Sequence, residues 1–270
     1  MKLNIKHVVF GLALLVLFWT GNIIYYKNHA IDNPIFLKHY YDVTMDGFSL
    51  YYLDDINSKA KVVSIDFPQI GCQCTNITQY ANSTDNPYYR LNVLLLIMPN
   101  TAPDKLKNKV ITYAKVTFSD GKTMDVNLGT IHFSGDGFAS NSSVKQQCSE
   151  SSDYTGDACF TSNKSIEITG IDSKSYERVK DIMQINIGAK PLSKIKFPIR
   201  LNAGDLVDIN YKFNFEKDPE KQNNAYSFAL NILTKDSSGK NGITPYLIDL
   251  YPSSPKDIDL NSLKNTKGGN

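Results

Sequence analysis

The stretch Val8 to Tyr26, reading VVFGLALLVLFWTGNIIYY, carries no ionised residue between Lys6 and Lys27. As a helix rising ~1.5 Å per residue it is about 28 Å long, close to the ~30 Å hydrocarbon thickness of a bilayer. Residues 8–26 therefore read as a single transmembrane helix in contact with membrane lipid. A cleavable leader has a shorter apolar region followed by small residues. Here the run continues into Trp19, Ile23, Ile24, Tyr25 and Tyr26, and no cysteine follows it to carry a lipid. The buried helix of a soluble domain usually shows a polar stripe at helical period, and none precedes Asn22. Trp19, Tyr25 and Tyr26 gather at one end, where amphipathic rings favour the lipid–water interface.

The flanks set an orientation. The amino terminus, Lys2 and Lys6 are cationic, whereas Lys27 and Lys38 are diluted by Asp32 and Asp42. The positive-inside tendency then places residues 1–7 in the cytoplasm and everything beyond residue 26 outside it. The expected product is a single-pass cell-membrane protein with an uncleaved signal anchor.

Residues 27–45 lack a sustained period and contain Pro34, which predicts a short stalk. Residues 46–252 read as strands. Phe48, Leu50 and Tyr52 alternate, as do Val63, Ile65 and Phe67, and Arg90 to Met98 is almost continuously apolar. Val110 to Phe118 and Met124 to Phe133 flank Asp120-Gly121, the residue pair of a type I′ hairpin turn. Gly129 breaks the alternation of the returning strand, as a β-bulge would. Ile195 to Leu201 and Val207 to Phe215 keep strict period two, the mark of an antiparallel sheet wet on one face. Pro198 cannot donate to a ladder and puts its strand at an edge. Ser173 to Asp181 reads as a short helix, and the Asp236 to Gly239 turn joins two last strands. The lead-in Leu201-Asn-Ala-Gly-Asp205 is similar to the turn before a strand in many immunoglobulin-like bacterial domains. The fold class is all-β, an antiparallel sandwich, as one domain in preference to two, without an internal repeat at fixed period. The tail 253–270 is polar, ends Gly-Gly-Asn, and reads as disordered.

Residues 134–165 are rich in Ser, Gly, Asn and Asp and read as a long polar excursion. They hold Cys148 and Cys159, while Cys72 and Cys74 lie among the early strands. In an oxidising compartment the four cysteines are disulfide candidates. A Cys72–Cys74 ring would be very short, so a staple from Cys72 or Cys74 to Cys148 or Cys159 is expected. A four-thiolate zinc site needs close C-x₂₋₄-C pairs, which this spacing lacks.

The 270 residues are 41% hydrophobic and 21% charged with a net charge of +2, which offers no basic stripe for nucleic acid. No cofactor or metal motif is present. His7, His29 and His39 fall in the anchor and stalk, leaving His132 in the domain, where alternation with Ile131 and Phe133 makes it an exposed strand residue. Asp- and Asn-rich turns at 134–137 and 236–239 miss the calcium-loop spacing. N-x-[ST] sequons begin at Asn76, Asn82, Asn141 and Asn163. The architecture of an anchor followed by a β domain resembles that of sortase-type cysteine transpeptidases. That resemblance implies Cys159 as nucleophile, His132 as proton carrier and Arg178 as oxyanion donor. The chain departs from the family pattern, reading Thr-Gly-Asp-Ala-Cys where those enzymes carry Thr-Leu-x-Thr-Cys. A catalytic constellation is therefore not expected. The leading expectation is a binding or assembly module facing an envelope protein or a cell-wall glycan. The Tyr-Tyr pairs at 40–41, 51–52 and 88–89 supply stacking surfaces.

Overall fold

The computed structural model describes residues 5–43, 47–83, 86–99, 106–134, 143–152 and 154–267. The apolar stretch lies within one helix, α1 (Ile5–His29), none of whose residues is buried. It is long and apolar enough to cross a membrane.

The rest is β-rich. In chain order the strands are β1 (Ile35–Phe36), β2 (His39–Val43), β3 (Gly47–Asp55), β4 (Val62–Phe67), β5 (Cys72–Cys74), β6 (Ile77–Ser83), β7 (Tyr89–Ile97), β8 (Val110–Phe118) and β9 (Thr123–Phe133). They continue as β10 (Val144–Ser152), β11 (Thr155–Ser162), β12 (Ile166–Asp172), β13 (Met183–Ile187), β14 (Lys190–Pro191), β15 (Ile199–Leu201), β16 (Leu206–Phe213), β17 (Ala225–Asp236) and β18 (Asn241–Leu250). One sheet runs β1-β3-β7-β6 and a second runs β10-β11-β16-β13-β14. The third and largest runs β15-β12-β17-β2-β9-β8-β4-β5, with β18 on β17.

Two hydrophobic cores result where one was expected over 46–252. The first joins the β3/β7 sheet to β4, β8 and β9; the second joins the β11/β16 sheet to β12, β17 and β18. The two sandwiches repeat one topology. In the first, β3 pairs β7, β7 pairs β6, β4 pairs β8 and β8 pairs β9. In the second, β11 pairs β16, β16 pairs β13, β12 pairs β17 and β17 pairs β18. These strands follow one another in the same order along the chain. The flanking strands match as well, β1 on β3 as β10 on β11, and β5 on β4 as β15 on β12. Both long hairpins close identically. Gly121 N–H donates to Phe118 O and Gly239 N–H to Asp236 O, with Gly121 at φ 86° and Gly239 at φ 84°. Asp120 is not at positive φ, so the expected type I′ turn is instead a type I turn closed by a left-handed glycine. Such a three-residue loop suits the twist equally well.

Strand β2 welds the two units. It pairs in parallel with β17 on one side and with β9 on the other. Because successive side chains of a strand point to opposite faces, Tyr41 enters the first core while Tyr40 stacks on Tyr226 of the second, with ring centroids 5.5 Å apart. Tyr41 aligns with Ile131, and Tyr40 with Thr130. The first sandwich therefore packs on one face of the large sheet and the second on the other.

The stalk expected over 27–45 is not one across its described residues, 27–43. Residues 27–29 finish α1, while Ile31, Ile35, Phe36 and Leu37 are buried in the first core. The tail is not disordered over its described part. Ile258 is buried in the first core, Leu260 and Leu263 pack on it, and residues Leu260–Lys267 form a helix. Lys264 Nζ donates to the carbonyls of Asn28 and Ala30, both at 3.0 Å, at the open end of α1. The excursion is mostly sheet, because β10 and β11 form a hairpin; residues 135–142 and 153 lie outside the described set. The inward residues of β11 are Gly156, Ala158, Phe160 and Ser162. They are mostly too small or polar to leave an apolar period.

His39 occupies the point where the chain leaves one sheet for another. Leu37 N–H donates to Tyr51 O at 3.0 Å. The next bond of that ladder, Tyr51 N–H at 2.9 Å, is accepted by His39 Nε2 in place of a backbone carbonyl. Full burial pushes the His39 pKa down to about 3, with the Leu128 backbone acting weakly in the other direction. The imidazole stays neutral when folded but binds a proton near pH 6.5 when unfolded. Its stabilising contribution is therefore complete above 6.5 and is lost as pH falls towards 3, at up to about 1.4 kcal/mol per pH unit. Urea titrations at pH 7.5, 6 and 4.5 are expected to show this slope in the native chain and a shallower one in His39→Asn. Equal slopes in the two proteins would refute the assignment.

Candidate functional site

Because the sandwiches pack on opposite faces, each leaves a step where the large sheet emerges from beneath it. On the first face the step is an aromatic notch of about 350 Å³, bounded by Tyr51 and Leu95 on one wall and Leu247 and Tyr251 on the other. Tyr251 follows β18 and stacks on Tyr51, with centroids 5.4 Å apart and planes at 17°, while Tyr41 meets it edge-on. Tyr251 remains 39% exposed. Its hydroxyl donates to Asp249 Oδ1 at 2.7 Å, and Ser227 Oγ donates to the same oxygen at 2.6 Å. Both bonds use one oxygen, which leaves Oδ2 of this exposed carboxylate facing solvent. Burial pushes the Tyr51 hydroxyl up to about 12, so it is a proton donor throughout the neutral range. The half-exposed Tyr251 ring beside a half-used carboxylate suits molecules with an apolar face and a rim of hydroxyls, with the buried Tyr51 backing it.

The opposite step holds a polar cluster. Ser175 Oγ donates to Asp42 Oδ1 at 2.8 Å, and His132 Nδ1 lies 3.6 Å from that oxygen. His132 is thus buried rather than exposed, because β2 covers the edge of β9 that sequence alternation alone leaves open. Desolvation raises the Asp42 pKa and lowers that of His132, against their mutual attraction. The three residue types are those of a hydrolase triad in a different arrangement. The serine bonds to the carboxylate and not to the imidazole, so the Ser–His step of a triad has no counterpart here. This cluster fastens the helix Tyr176–Val179 of the second sandwich to β2 and β9.

The sequence-derived candidates separate. Cys148 and Cys159 stand directly opposite each other on β10 and β11 and are disulfide-bonded. Cys72 and Cys74 are free, with Cys74 buried and its thiol directed at Ile97 O. The staple expected between the two regions is absent, because β5 belongs to the first sandwich and β11 to the second. The β10–β11 hairpin of the excursion needs no such staple, being held by pairing with β16. A disulfide-bonded Cys159 presents no thiolate. Arg178 acts on His132 and Asp42 through its field alone. Asp236, in the turn weighed for calcium, already accepts from Ser238, Lys240 and Lys164. Among the described residues there is no group of three or more metal-ligating side chains. Sequence reading missed the notch, since its parts come from β2, β3, β7 and the end of β18. The Tyr40-Tyr41 and Tyr51-Tyr52 pairs were the available signals, and of these Tyr41 and Tyr51 belong to it.

The Cys148–Cys159 bond closes a short loop, and loss of it should cost about 2–3 kcal/mol. Chemical denaturation of Cys148→Ala is expected to show that loss, with Cys72→Ser within about 0.5 kcal/mol of the native chain. Peptide mapping without reductant should recover one linked pair, 148 with 159. A linked peptide joining the 72–74 region to either would contradict the structure.

No protein-family model matches the chain, and no curated protein matches it in sequence. Among solved structures it is similar to a protein of unknown function from Porphyromonas gingivalis W83, at 7% identity over 81% of this chain and 96% of that one, with a TM-score of 0.26.

Proposed function

We propose that this is a single-pass membrane protein whose paired β-sandwiches sit outside the cytoplasm and bind a glycan in the notch between them. The observation that carries the reading is the notch itself: the stacked Tyr51 and Tyr251 rings beside Asp249, whose second oxygen is open to solvent. Pyranose rings present just such an apolar face with hydroxyls at the rim, which suits a cell-wall polysaccharide.

Three features support the location. Helix α1 has bilayer length and no buried residue. The cationic amino-terminal flank favours the cytoplasmic side. The Cys148–Cys159 bond suits an oxidising compartment. The helix enters the module without a linker. Tyr25, Tyr26 and His29 surround the ring of Tyr88, with centroids 6.0, 5.7 and 5.2 Å away, and Asn57 Nδ2 donates to Tyr26 Oη at 3.0 Å. The module is thereby held against the membrane surface and not on a flexible tether.

Two measurements test the reading. A reporter active only outside the cytoplasm, fused after Asn270, should be active, with full-length protein in the membrane fraction; an inactive fusion or a shortened soluble product refutes the topology. Titration of the detergent-solubilised chain with N-acetylglucosamine oligomers and solubilised peptidoglycan strands should give saturable binding that Tyr251→Ala weakens about tenfold, or ~1.4 kcal/mol. Failure of both glycans to bind the native chain would remove the ligand assignment.

A further inference from the structure

The repeated topology exposes one difference between the sandwiches. In the first, the side between the edge strands β1 and β9 is closed by the chain itself. Residues 35–43 pair with β3, bury Leu37 and His39 completely, and then add to the edge of β9 as β2. In the second, the corresponding side lies between β10 and β18, which approach each other where Thr244 Oγ donates to Val144 O at 3.3 Å. Beyond that contact the side is a groove of about 440 Å³, with Tyr211 and Tyr246 among its lining, Gln146, Ser149 and Ser151 along β10, and Leu247 and Asp249 along β18. Among the described residues β18 pairs with β17 and with no other strand.

The hairpin register identifies which backbone groups face that edge. Asp236 N–H donates to Lys240 O, so the 236–240 pair is hydrogen-bonded and pairs alternate from it along the ladder. Residues 245, 247 and 249 then fall in the non-bonded positions, with their backbone groups turned away from β17. Pro245 has no N–H to offer, which limits the edge to a short stretch. Leu247 and Asp249 each present one donor and one acceptor to the groove. Among the described residues the lining has one carboxylate, Asp249, and no cation.

We infer that this groove receives an extended segment of another polypeptide, which adds to the edge of β18 as β2 adds to β9. The segment carries a large apolar residue towards Tyr211 and Tyr246 and a basic or neutral residue beside Asp249. The counterpart groove supplies the template: residues 35–43 are extended, place Leu37 and His39 inward, and carry Lys38 between them. Main-chain bonds give such an addition its affinity, and the pocket gives it selectivity. The inference does not rest on the glycan reading, although Leu247 and Asp249 border both the notch and the groove.

The probe is a fluorescent peptide copying residues 35–43, IFLKHYYDV, added to the full chain in detergent, with a scrambled peptide as control. Saturable binding of the copy is expected. Ser149→Trp, which obstructs the groove from an exposed position on β10, should weaken it at least tenfold. So should Leu247→Pro, which removes one outward N–H without touching the β17 ladder, whereas Leu247→Ala should change it less than threefold. Hydrogen exchange on the native chain gives a readout that needs no variant: the Leu247 and Asp249 amides should slow on peptide addition. Tyr251→Ala should leave peptide binding intact, which separates this result from that of the notch. Equal binding of the scrambled peptide, or no protection at 247 and 249, would overturn the proposal. Protection of those amides that rises with protein concentration in the absence of peptide would also overturn it, because a second copy would then be the occupant.

Discussion

The structure depends on a five-residue strand that is paired over residues 39–41 along one edge and 39–43 along the other. Strand β2 is paired along both edges and packed on both faces, so His39, Tyr40, Tyr41, Asp42 and Val43 are each committed to a partner in one sandwich or the other. Its sequence satisfies that constraint by alternation. His39, Tyr41 and Val43 go to the first core, while Tyr40 and Asp42 face the second unit. The parallel pairing leaves a tight approach to β9. Gly129 lies at φ 83°, where a Cβ would stand 2.6 Å from His39 O, so only glycine fits beside β2. The bulge in β9 is what makes room for a strand on its outer edge.

This arrangement explains why two cores behave as one body. Two sandwiches joined by a linker would move independently. Here a continuous sheet joins them, the Asp42–Ser175 bond fastens one step, and the residues after β18 fasten the other. From Tyr251 to Lys264 the chain crosses back over the first sandwich, contributing a ring to the notch, Ile258 to the core and a lysine to the end of α1. Asn223 of the second unit brackets that strap, accepting from Asp259 N–H at 2.8 Å and donating to Asp259 O at 3.4 Å. The notch is therefore walled by strands β2, β3, β7 and β18, with its exposed ring supplied by Tyr251 directly after β18.

Much of the first sandwich is legible in the sequence because its residues obey local rules. The run Arg90 to Met98, the hairpin around Asp120-Gly121 and the bulge at Gly129 all follow from composition and period. What escapes local reading depends on partners far away in the chain. Residues 28–43 look irregular because β1 and β2 are short, belong to different sheets and include a histidine acting as a backbone acceptor. The excursion looks like a loop because Gly156 must stay small beneath Tyr211, where a Cβ would lie 2.3 Å from the ring. The tail looks disordered because Ile258, Leu260 and Leu263 are few and widely spaced, yet they meet a surface already ordered. Each failure has one cause: burial supplied by a distant segment, which period analysis cannot see. The notch was illegible for the same reason.

The topological repeat was hidden more deeply. Strand pairing is set by backbone hydrogen bonds and by which residues face inward, so two sequences can share a topology with no residue in common. What the two copies retain is the pair of glycines at the hairpin corners, Gly121 and Gly239, where positive φ is required. What they have lost is equality at the edge. A strand edge left open is a hazard unless it is short, charged or interrupted, and β18 carries Pro245 and Asp249 along that side. The first sandwich removes the hazard by pairing β9 with β2, which costs it an edge and gains it the junction. The second keeps a short, guarded edge on the side away from β2, where contact with another molecule does not disturb the junction.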